Sequence, residues 1–350
     1  MHTTVGIEGA APHEVRIGAG VLSAADELSA AHSGTLVLTD ETVAGLHLER
    51  LGELASGPVL RLPPGESSKT MATLERILDR LCEAELDRDA CVVALGGGVV
   101  GDLGGLAAAL FKRGVAVIQC PTTLLAQVDA SVGGKTAVNL AAGKNLAGAF
   151  HTPSVVLADI ATLSTLPAEE VRSGLGEVLK SALLAGEEDL AALEADAEAI
   201  VALEHGALER CVTRCVRLKA RVVGEDPLER GPRRQLNLGH TYGHAIEQVA
   251  GHGTIPHGIA VAVGVLLALH ESERRGLLGD RDLPARVEGL ASRLGLPATL
   301  ADLEAGWSTR LEESALVAAM RHDKKSRGGE VRLVLPIRTG EVVLDATLDG

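Results

Sequence analysis

The first half of the chain alternates short apolar runs with segments whose apolar residues recur at helical spacing. Strand-like runs lie at residues 35–39, 59–62, 91–95 and 115–120, with helical periods between them at 42–54 and 70–86. A continuous apolar run such as Cys91-Val92-Val93-Ala94-Leu95 is typical of a parallel sheet covered on both faces. The pattern therefore predicts an α/β domain with a mostly parallel sheet.

Helical periods dominate the second half. They lie at residues 168–184, 188–202, 208–224, 241–250, 257–275 and 283–294, and one strand-like run returns at 331–335. Because the pattern changes near Leu163-Ser164-Thr165-Leu166-Pro167, we expect two domains. They are an α/β domain over residues 1–163 and a mostly α-helical domain over residues 164–350.

Composition excludes several classes of function. The net charge of −14 gives no general attraction to nucleic acid or to an anionic membrane, and aromatic residues make up only 1% of the chain. The longest apolar run, 259–269, is too short to cross a bilayer, and the N-terminus shows no signal-peptide pattern. Five cysteines, an odd number without a CxxC motif, indicate buried thiols in a reducing cytoplasm.

The histidines of the segment 237–247 are the first candidates for chemistry. His240 and His244 are four residues apart in a helical period, so they share a face, and His257 follows 17 residues later. Imidazole is the commonest protein ligand for a transition metal. Glu177, three residues before Lys180, is a candidate third ligand. The alternative is that these histidines lie on a helix surface.

Gly96-Gly97-Gly98-Val99-Val100-Gly101 contains a GxGxxG pattern after a predicted strand and before a predicted helix. This arrangement favours binding of a dinucleotide pyrophosphate, whereas the alternative is a tight, closely packed strand-to-helix turn. The acidic residue that usually follows about 20 positions later is missing. The ribose would then be held by Asp40, Glu66 or Lys69.

Residues 127–136 and 143–145 form a polar, glycine-rich segment. Gly134-Lys135-Thr136 resembles the end of a P-loop, but Asp129 stands where that motif needs glycine, so nucleotide triphosphate hydrolysis is excluded. We expect a loop that holds a small anionic substrate. Further cations fit a phosphate or carboxylate ligand, with a solvated surface as the alternative for Arg234 and one of the final two lysines. These cations are Lys219, Arg233, Arg234, Lys324 and Lys325.

Taken together, these motifs resemble the 3-dehydroquinate synthase family of the sugar phosphate cyclase superfamily. The resemblance rests on residues 63–69, 96–102, 113–114, 121–125, 127–129, 133–135, 143–145, 177 with 180, 233–247, 257–258 and 323–325. It implies a Rossmann-like α/β N-terminal domain and a mostly α-helical C-terminal domain. It also implies conversion of 3-deoxy-D-arabino-heptulosonate 7-phosphate to 3-dehydroquinate and phosphate, a step of the shikimate pathway, with NAD and Zn²⁺ (or Co²⁺) as cofactors.

The resemblance also implies site residues. The metal ligands become Glu177, His240 and His257, and His244 moves from the metal to the substrate. The implied NAD-binding residues are Asp40, Glu66, Lys69, Gly97, Gly98, Val99, Asp102, Thr122, Thr123 and Lys144. The implied catalytic residues are Lys135, Lys180, Lys219, Arg233, Asn237 and His244. The implied substrate-binding residues are Arg113, Asp129, Asn145, Lys324 and Lys325.

In the family, the residue that Arg113 resembles reaches into the neighbouring subunit, which implies a homodimer. Two departures from the family pattern are Gly176, where alanine is usual, and Ile259, where glutamate often stands. Two alternatives stay open. One is another sugar phosphate cyclase, such as an aminodehydroquinate synthase, and the other is a metal-dependent polyol dehydrogenase of the glycerol dehydrogenase type.

Overall fold

The computed structural model describes residues 2–8, 12–251, 253–322 and 331–348. Two compact units emerge from the backbone contacts. The first holds Met1–Leu166 and Leu208–Leu228, and the second holds Pro167–Ala207 and Glu229–Gly350. The sequence analysis predicted one division, after residue 163, and did not predict that Leu208–Leu228 belongs to the first unit. The assignment of NAD to the first domain and of metal and substrate to the second stays a prediction.

The first unit contains strands and helices in alternation. Its strands are β1 (Thr3–Ile7), β2 (His13–Gly18), β3 (Thr35–Asp40), β4 (Val59–Leu62), β5 (Cys91–Gly96), β6 (Ala116–Pro121), β7 (Lys135–Leu140), β8 (Gly143–Phe150) and β9 (Val155–Asp159). Its helices are α1 (Ala24–Ser29), α2 (Glu41–His47), α3 (Met71–Glu83) and α4 (Gly98–Leu110). Most of α7 (His205–Glu225) also belongs to this unit.

Among the described residues, seven strands form one sheet in the order β1-β2-β9-β6-β5-β3-β4. All neighbours run parallel except β1 and β2, which form an antiparallel pair at one edge. The predicted α/β class is therefore confirmed. Strands β1, β2 and β9 were not predicted, and β1 and β2 have the mixed polar pattern of strands near an edge.

Helices cover both faces of this sheet. On one face, Leu74 and Ile77 of α3 and Leu103 of α4 pack with Val92 and Ala94 of β5. On the other face, the segments around α1 and α2 pack against the alternate β5 positions Val93 and Leu95. Both sets of β5 side chains are buried, which explains the continuous apolar run in the sequence.

Two first-unit elements differ from the sequence predictions. The expected helix over 42–54 is a short α2 followed by a 3₁₀ segment, Leu48–Ser56, which is interrupted at Gly52, where φ is 65°. The expected loop over 127–145 is partly regular structure, because β7 and β8 form an antiparallel hairpin. In β7, Thr136 and Val138 are buried on one face, and this short alternation lies between glycines that suggested a loop.

The second unit is mostly helical, as predicted. It contains α5 (Ala168–Ala185), α6 (Glu187–Val201), α8 (His240–Ala250), α9 (His257–Arg274), α10 (Leu283–Arg293), α11 (Leu300–Trp307) and α12 (Glu313–His322), and the hairpin β10 (Arg332–Arg338) and β11 (Glu341–Thr347). Helix α9 is buried along most of its length and packs against α5 and α8. None of the described helices combines the length and apolar character needed to cross a membrane.

Candidate active site

Three side chains from separate helices of the second unit meet in one cluster. Glu177 lies in α5, and His240 and His257 are the first residues of α8 and α9. The Nε2 atoms of both histidines lie 3.7 Å from Oε1 of Glu177. One candidate ligand atom from each residue lies within 4.8 Å of the other two. The three residues that the family resemblance implies as ligands are therefore brought together.

The donor set fits a divalent metal. The Glu177 side chain is only 1% exposed, and neither of its carboxylate oxygens has a hydrogen-bond partner. Lys180 forms an ion pair with Oε2 but does not meet the geometry of a hydrogen bond. Lys180 therefore compensates Oε2, whereas Oε1 faces the Nε2 atoms of both histidines without a hydrogen bond, and a buried carboxylate oxygen in this setting favours a bound metal ion. Two imidazole nitrogens and one carboxylate oxygen are typical ligands of a catalytic Zn²⁺ or Co²⁺ site.

The other ring nitrogen of each histidine has its own contact. Nδ1 of His240 lies 3.2 Å from the carbonyl oxygen of Leu238, and Nδ1 of His257 lies 2.9 Å from Oε2 of Glu247. Glu247 is buried in α8. A carbonyl or carboxylate acceptor requires the proton to sit on Nδ1, which leaves Nε2 with a lone pair for a metal.

His244 lies one turn after His240, and its ring centroid is 5.6 Å from that of His240 and 5.8 Å from that of His257. Among the described residues, the possible metal-binding groups place His240 with Glu177 and His257, and they place His244 with Glu247 and His257. The pairing of His240 and His244 suggested by their spacing does not occur in either group. His257, far away in sequence, is instead common to both.

A close contact between two helix backbones positions these ligands. A Cβ atom on Gly176 would lie 1.8 Å from the carbonyl oxygen of Gly258, and one on Gly258 would lie 1.8 Å from that of Ser173. Only glycines allow α5 and α9 to approach this closely. Each glycine is adjacent to a candidate ligand, since Gly176 precedes Glu177 and Gly258 follows His257.

Arg233 and Asn237 lie in the 3₁₀ segment Pro232–Asn237, just before α8. Arg233 is 1% exposed, whereas the neighbouring Arg234 makes a surface ion pair with Asp345 at 2.7 Å. The solvated-surface interpretation therefore fits Arg234 and not Arg233. Asn237 donates a 2.8 Å hydrogen bond from Nδ2 to Glu229, a residue that the sequence analysis missed.

In the first unit, the glycine-rich turn joins β5 to α4. Gly97 is the N-cap residue of α4, and a Cβ on Gly98 would meet nothing closer than Ala130, at 3.7 Å. Gly96 and Gly101 are explained by packing, because their Cβ atoms would lie 2.7 Å from Val100 and 2.9 Å from Gln119. Close packing at the ends of the motif is therefore shown, whereas pyrophosphate binding at the helix N-terminus in its centre stays a prediction.

Several residues implied to bind NAD lie beside this turn. Lys69, which is buried, forms an ion pair with Asp102 and donates a 2.6 Å hydrogen bond to Oδ1 of Asn145. Burial raises the pKa of the Asp102 carboxyl, and the adjacent Lys69 ammonium acts in the opposite direction. Thr122 is buried, and its backbone N–H donates to the carbonyl of Gly96.

The remaining first-unit candidates are placed as follows. Lys219 of α7 donates to both the carboxylate (2.6 Å) and the carbonyl of Asp129. Asp40 accepts a 2.9 Å hydrogen bond from Val43 N–H and so caps α2. Hydroxyl Oγ1 of Thr123 accepts from Ala126 N–H. Glu66, in the turn after β4, accepts a 2.6 Å hydrogen bond from the side-chain amide of Asn139. The others are Val99, at the start of α4, and Lys135 and Lys144, in β7 and β8.

Arg113 is exposed in the turn after α4, where its φ is 73°. Lys324 and Lys325 lie outside the described residues. Sequence reasoning also missed Glu247 and Asn139. Glu247 had a signal, since it lies three residues after His244 and on the same face of α8.

Comparisons with known proteins agree with this arrangement. Residues 59–173 match the model of the N-terminal domain of 3-dehydroquinate synthase, and residues 174–326 match the model of its C-terminal domain. The 3-dehydroquinate synthase of Paracoccus denitrificans is 44% identical over 350 residues, which is 97% of this chain and 94% of the relative. That of Azotobacter vinelandii is 45% identical, over 96% of this chain and 94% of the relative.

Solved structures of other cyclases are also similar. A 2-deoxy-scyllo-inosose synthase complexed with carbaglucose-6-phosphate, NAD⁺ and Co²⁺ has a TM-score of 0.86 and 30% identity, over 97% of this chain and 94% of that one. The 2-epi-5-epi-valiolone synthase of Streptomyces hygroscopicus subsp. jinggangensis, with NAD⁺ and Zn²⁺ bound, has a TM-score of 0.83 and 30% identity at the same coverage. A probable glycerol dehydrogenase from Sinorhizobium meliloti shares the fold alone, with 20% identity, a TM-score of 0.63 and coverage of 91% of this chain and 97% of that one.

Proposed function

The chain belongs to the 3-dehydroquinate synthase family, and from this we propose that it converts 3-deoxy-D-arabino-heptulosonate 7-phosphate to 3-dehydroquinate and phosphate. It does so as a phosphate-eliminating lyase that requires NAD and a divalent metal. The observation that carries this proposal is the convergence of Glu177, His240 and His257, in which the buried Oε1 of Glu177 faces both histidine Nε2 atoms and has no hydrogen-bond partner.

Glu177, His240 and His257 would hold the metal, Zn²⁺ or Co²⁺. When bound there, the ion supplies Lewis acidity that lowers the pKa of a substrate hydroxyl. Glu247 keeps His257 in the tautomer that leaves Nε2 available. Lys180, in contact with Glu177, adds a positive charge beside the substrate.

The first unit would hold NAD at the N-terminus of α4. The backbone N–H groups around Gly97, Gly98 and Val99 bind the pyrophosphate with the help of the helix dipole. Asp40, the last residue of β3, and Glu66, which follows β4, would accept hydrogen bonds from ribose hydroxyls. NAD held there would supply a reversible hydride acceptor that is regenerated in each turnover.

The departing phosphate needs cations, and this acidic chain must supply them locally. Arg233 meets the need best because a buried guanidinium is weakly screened by water and forms paired hydrogen bonds with phosphate oxygens. His244 and Lys135 add to this charge, together with Lys324 or Lys325. Charged groups that are already in position before the reaction stabilise the charge developing on the phosphate without having to move.

Polar groups orient the rest of the substrate. The ion pair of Lys219 with Asp129 fixes the lysine ammonium, so that it binds a hydroxyl or carboxylate in a set direction. Asn145 and Asn237 are held by Lys69 and Glu229 respectively and would bind further hydroxyls.

The test is an assay of the purified protein with zinc, NAD⁺ and the heptulosonate phosphate. We expect one phosphate released for each 3-dehydroquinate formed, with no accumulation of NADH. Glu177→Gln, which removes a ligand charge while keeping the side-chain shape, should abolish phosphate release. Stoichiometric NADH formation, or wild-type protein that releases no phosphate, would contradict the proposal.

The same assay separates the alternative substrates. An amino-heptulosonate phosphate, supplied in a parallel assay, tests for aminodehydroquinate synthase activity. Glycerol tests for polyol dehydrogenase activity. The 44% identity to a 3-dehydroquinate synthase favours the heptulosonate over both. We expect kcat/KM for the heptulosonate to exceed that for the amino analogue at least tenfold.

We also propose a homodimer in which Arg113 enters the neighbouring site. Two inactive variants test this, since mixing Arg113→Ala with Glu177→Gln creates hybrid dimers with one intact site. If subunits exchange freely, roughly a quarter of all sites become active. A mixture that stays inactive although light scattering and subunit labelling show hybrid dimers would contradict the assignment of Arg113.

The cytoplasm is the proposed location. All five cysteines are free thiols and four of them are buried. Burial raises the pKa of the Cys91 thiol to about 12, so it stays protonated and unreactive. Free thiols of this kind are typical of a reducing compartment.

A further inference from the structure

Asn139 lies near the tip of the β7–β8 hairpin, at a register shift between Val138 and Leu140. Its backbone pairs elsewhere, since its N–H donates a 2.9 Å hydrogen bond to the carbonyl of Lys69 and it forms a parallel bridge with Thr70. The irregularity in the hairpin therefore joins it to the segment that follows β4.

The nitrogen and the oxygen of the Asn139 side-chain amide each make a hydrogen bond. Its Nδ2 donates a 2.6 Å hydrogen bond to Oε1 of Glu66, and its Oδ1 accepts a 2.9 Å hydrogen bond from the N–H of Asn145. Asn145 in turn accepts from Lys69, whose ammonium also contacts Asp102. The contacts form a closed ring that runs from Asn139 through Asn145 to Lys69 and back to Asn139.

The contact to Asn145 fixes an unusual backbone conformation. Asn145 has a φ of 54°, in the left-handed region that non-glycine residues seldom occupy. Asparagine tolerates this region better than most residues, but the conformation still needs support from its surroundings. The Oδ1 of Asn139 supplies it by accepting the Asn145 N–H, which directs the Asn145 side chain toward Lys69.

We propose that Asn139 is a positioning residue that holds the NAD-side residues Glu66 and Lys69 and the substrate-side residue Asn145 in one fixed arrangement. The inference rests on the proposed function for those three roles. Asn139 itself needs to touch neither ligand. A single amide, with one donor end and one acceptor end, matches a carboxylate on one side and a backbone N–H on the other.

Two variants separate the two ends of this amide. Asn139→Leu removes both hydrogen bonds, whereas Asn139→Asp keeps an acceptor for the Asn145 N–H but places a negative charge against Glu66. Leu140→Ala is the matched control, because the Leu140 side chain is on the same hairpin and 42% exposed. Calorimetric unfolding and circular dichroism establish that each variant is folded.

Three readouts are compared. Amide hydrogen exchange of Asn145 should accelerate at least tenfold in Asn139→Leu and less than threefold in Asn139→Asp and Leu140→Ala. The Kd for NAD⁺ from titration calorimetry should rise at least tenfold in both Asn139 variants. In phosphate release, KM for the sugar phosphate should rise more than kcat falls in Asn139→Leu.

Unchanged Asn145 exchange and an unchanged Kd for NAD⁺ in folded Asn139→Leu would overturn the inference. Failure of the proposed function would look different. Wild-type protein would then release no phosphate or bind no NAD⁺, whereas the exchange of the Asn145 amide would still depend on Asn139. If Asn139→Leu does not fold, Asn139→Asp decides through its Kd for NAD⁺, since the acceptor to Asn145 is retained.

Discussion

The contact between α5 and α9 at Gly176 and Gly258 leads to a sharp prediction. In Gly258→Ala, the new Cβ atom would lie 1.8 Å from the carbonyl oxygen of Ser173, which is main-chain and cannot rotate away. The two helices must therefore move apart. This substitution alters no ligand atom, so its effects report on the distance between the helices that carry Glu177 and His257.

The required movement can be estimated. Ordinary contact for a Cβ atom begins at 3.4 Å, so the helices must separate by about 1.5 Å at this point if no other adjustment occurs. Overpacking of this kind costs about 1–3 kcal/mol, and each kcal/mol lowers the Tm of a large domain by about 2–4 °C. Metal–ligand distances tolerate only about 0.2 Å, so the displacement is far larger than the site allows.

We therefore expect Gly258→Ala to lower the Tm by roughly 2–12 °C and to weaken zinc binding at least a hundredfold. Chelator competition measures the zinc Kd, and calorimetry measures the Tm. Gly289→Ala in α10 is the control, because a Cβ there would meet nothing within 4 Å. It should leave zinc binding unchanged and stabilise the protein by about 0.5–1 kcal/mol through helix propensity.

The reasoning is refuted if Gly258→Ala binds zinc as tightly as wild type and unfolds at the same temperature. A lower Tm with unchanged zinc affinity would refute the second step alone. It would show that the helices separate without moving Glu177 away from His257. A parallel loss of zinc affinity in Gly289→Ala would show that the loss is not specific to the contact between α5 and α9.

Three further predictions concern single side chains. His257→Ala should lose bound zinc by elemental analysis, whereas His244→Ala should keep it and lose rate, and a full metal content in His257→Ala would refute the ligand assignment. Glu247→Gln should weaken zinc binding about 10–100-fold with little change in Tm, because the amide is a weaker acceptor for the Nδ1–H of His257; an unchanged zinc Kd would count against that contact. Burial and then the nearby Arg50 lower the pKa of His47, so the folded state favours its neutral form. Its contribution to stability is then present above pH 6.5 and lost as the pH falls through the lowered pKa, and His47→Gln should show a shallower loss between about pH 7 and pH 5 in urea unfolding; equal slopes would contradict this.

The sequence predicted those parts of the fold that leave a periodic signal. Strands β3, β5 and β6 are visible because most of their positions are buried inside the sheet, so most of them are apolar, whereas the edge strand β4 is a short apolar run with Arg61 exposed. The hairpin of β7 and β8 was not visible. Its strands are half exposed, and they contain glycine, lysine and asparagine, which suggest a loop and include residues proposed to bind ligands.

The metal cluster shows the same limit. Spacing within one helix suggested His240 with His244, because helical periodicity is the only neighbour relation that a single segment reveals. The partner His257 belongs to α9, and its approach to His240 depends on how α8 and α9 pack. The residue pattern included His257 only as a further candidate, and the family resemblance made it a ligand in place of His244, since a resemblance carries tertiary information. Asn139 was indicated neither by periodicity nor by the family resemblance, because its proposed role depends on a register shift in the β7–β8 hairpin.

The composition of the chain and its candidate sites share one feature, which is close packing of backbones at glycine residues. With 41 glycines and only four aromatic residues, two Phe, one Tyr and one Trp, the protein packs backbones closely. In the first unit, a Cβ on Gly104 of α4 would lie 2.8 Å from Ala94 of β5, and one on Gly105 would lie 2.4 Å from Thr136 of β7. Helix α4 can therefore lie directly on β5, which ends at the glycine-rich turn, and on β7.

The same cause operates at Gly176 and Gly258 in the second unit. When the two backbones are close together and fixed, the side chains between them can adopt few conformations. This limits the positions of their functional atoms. Bulky side chains between the elements would fill the core equally well, but they would hold the functional groups farther apart. At the contact between α5 and α9, glycine rather than a bulkier residue keeps the candidate ligands Glu177 and His257 close to each other.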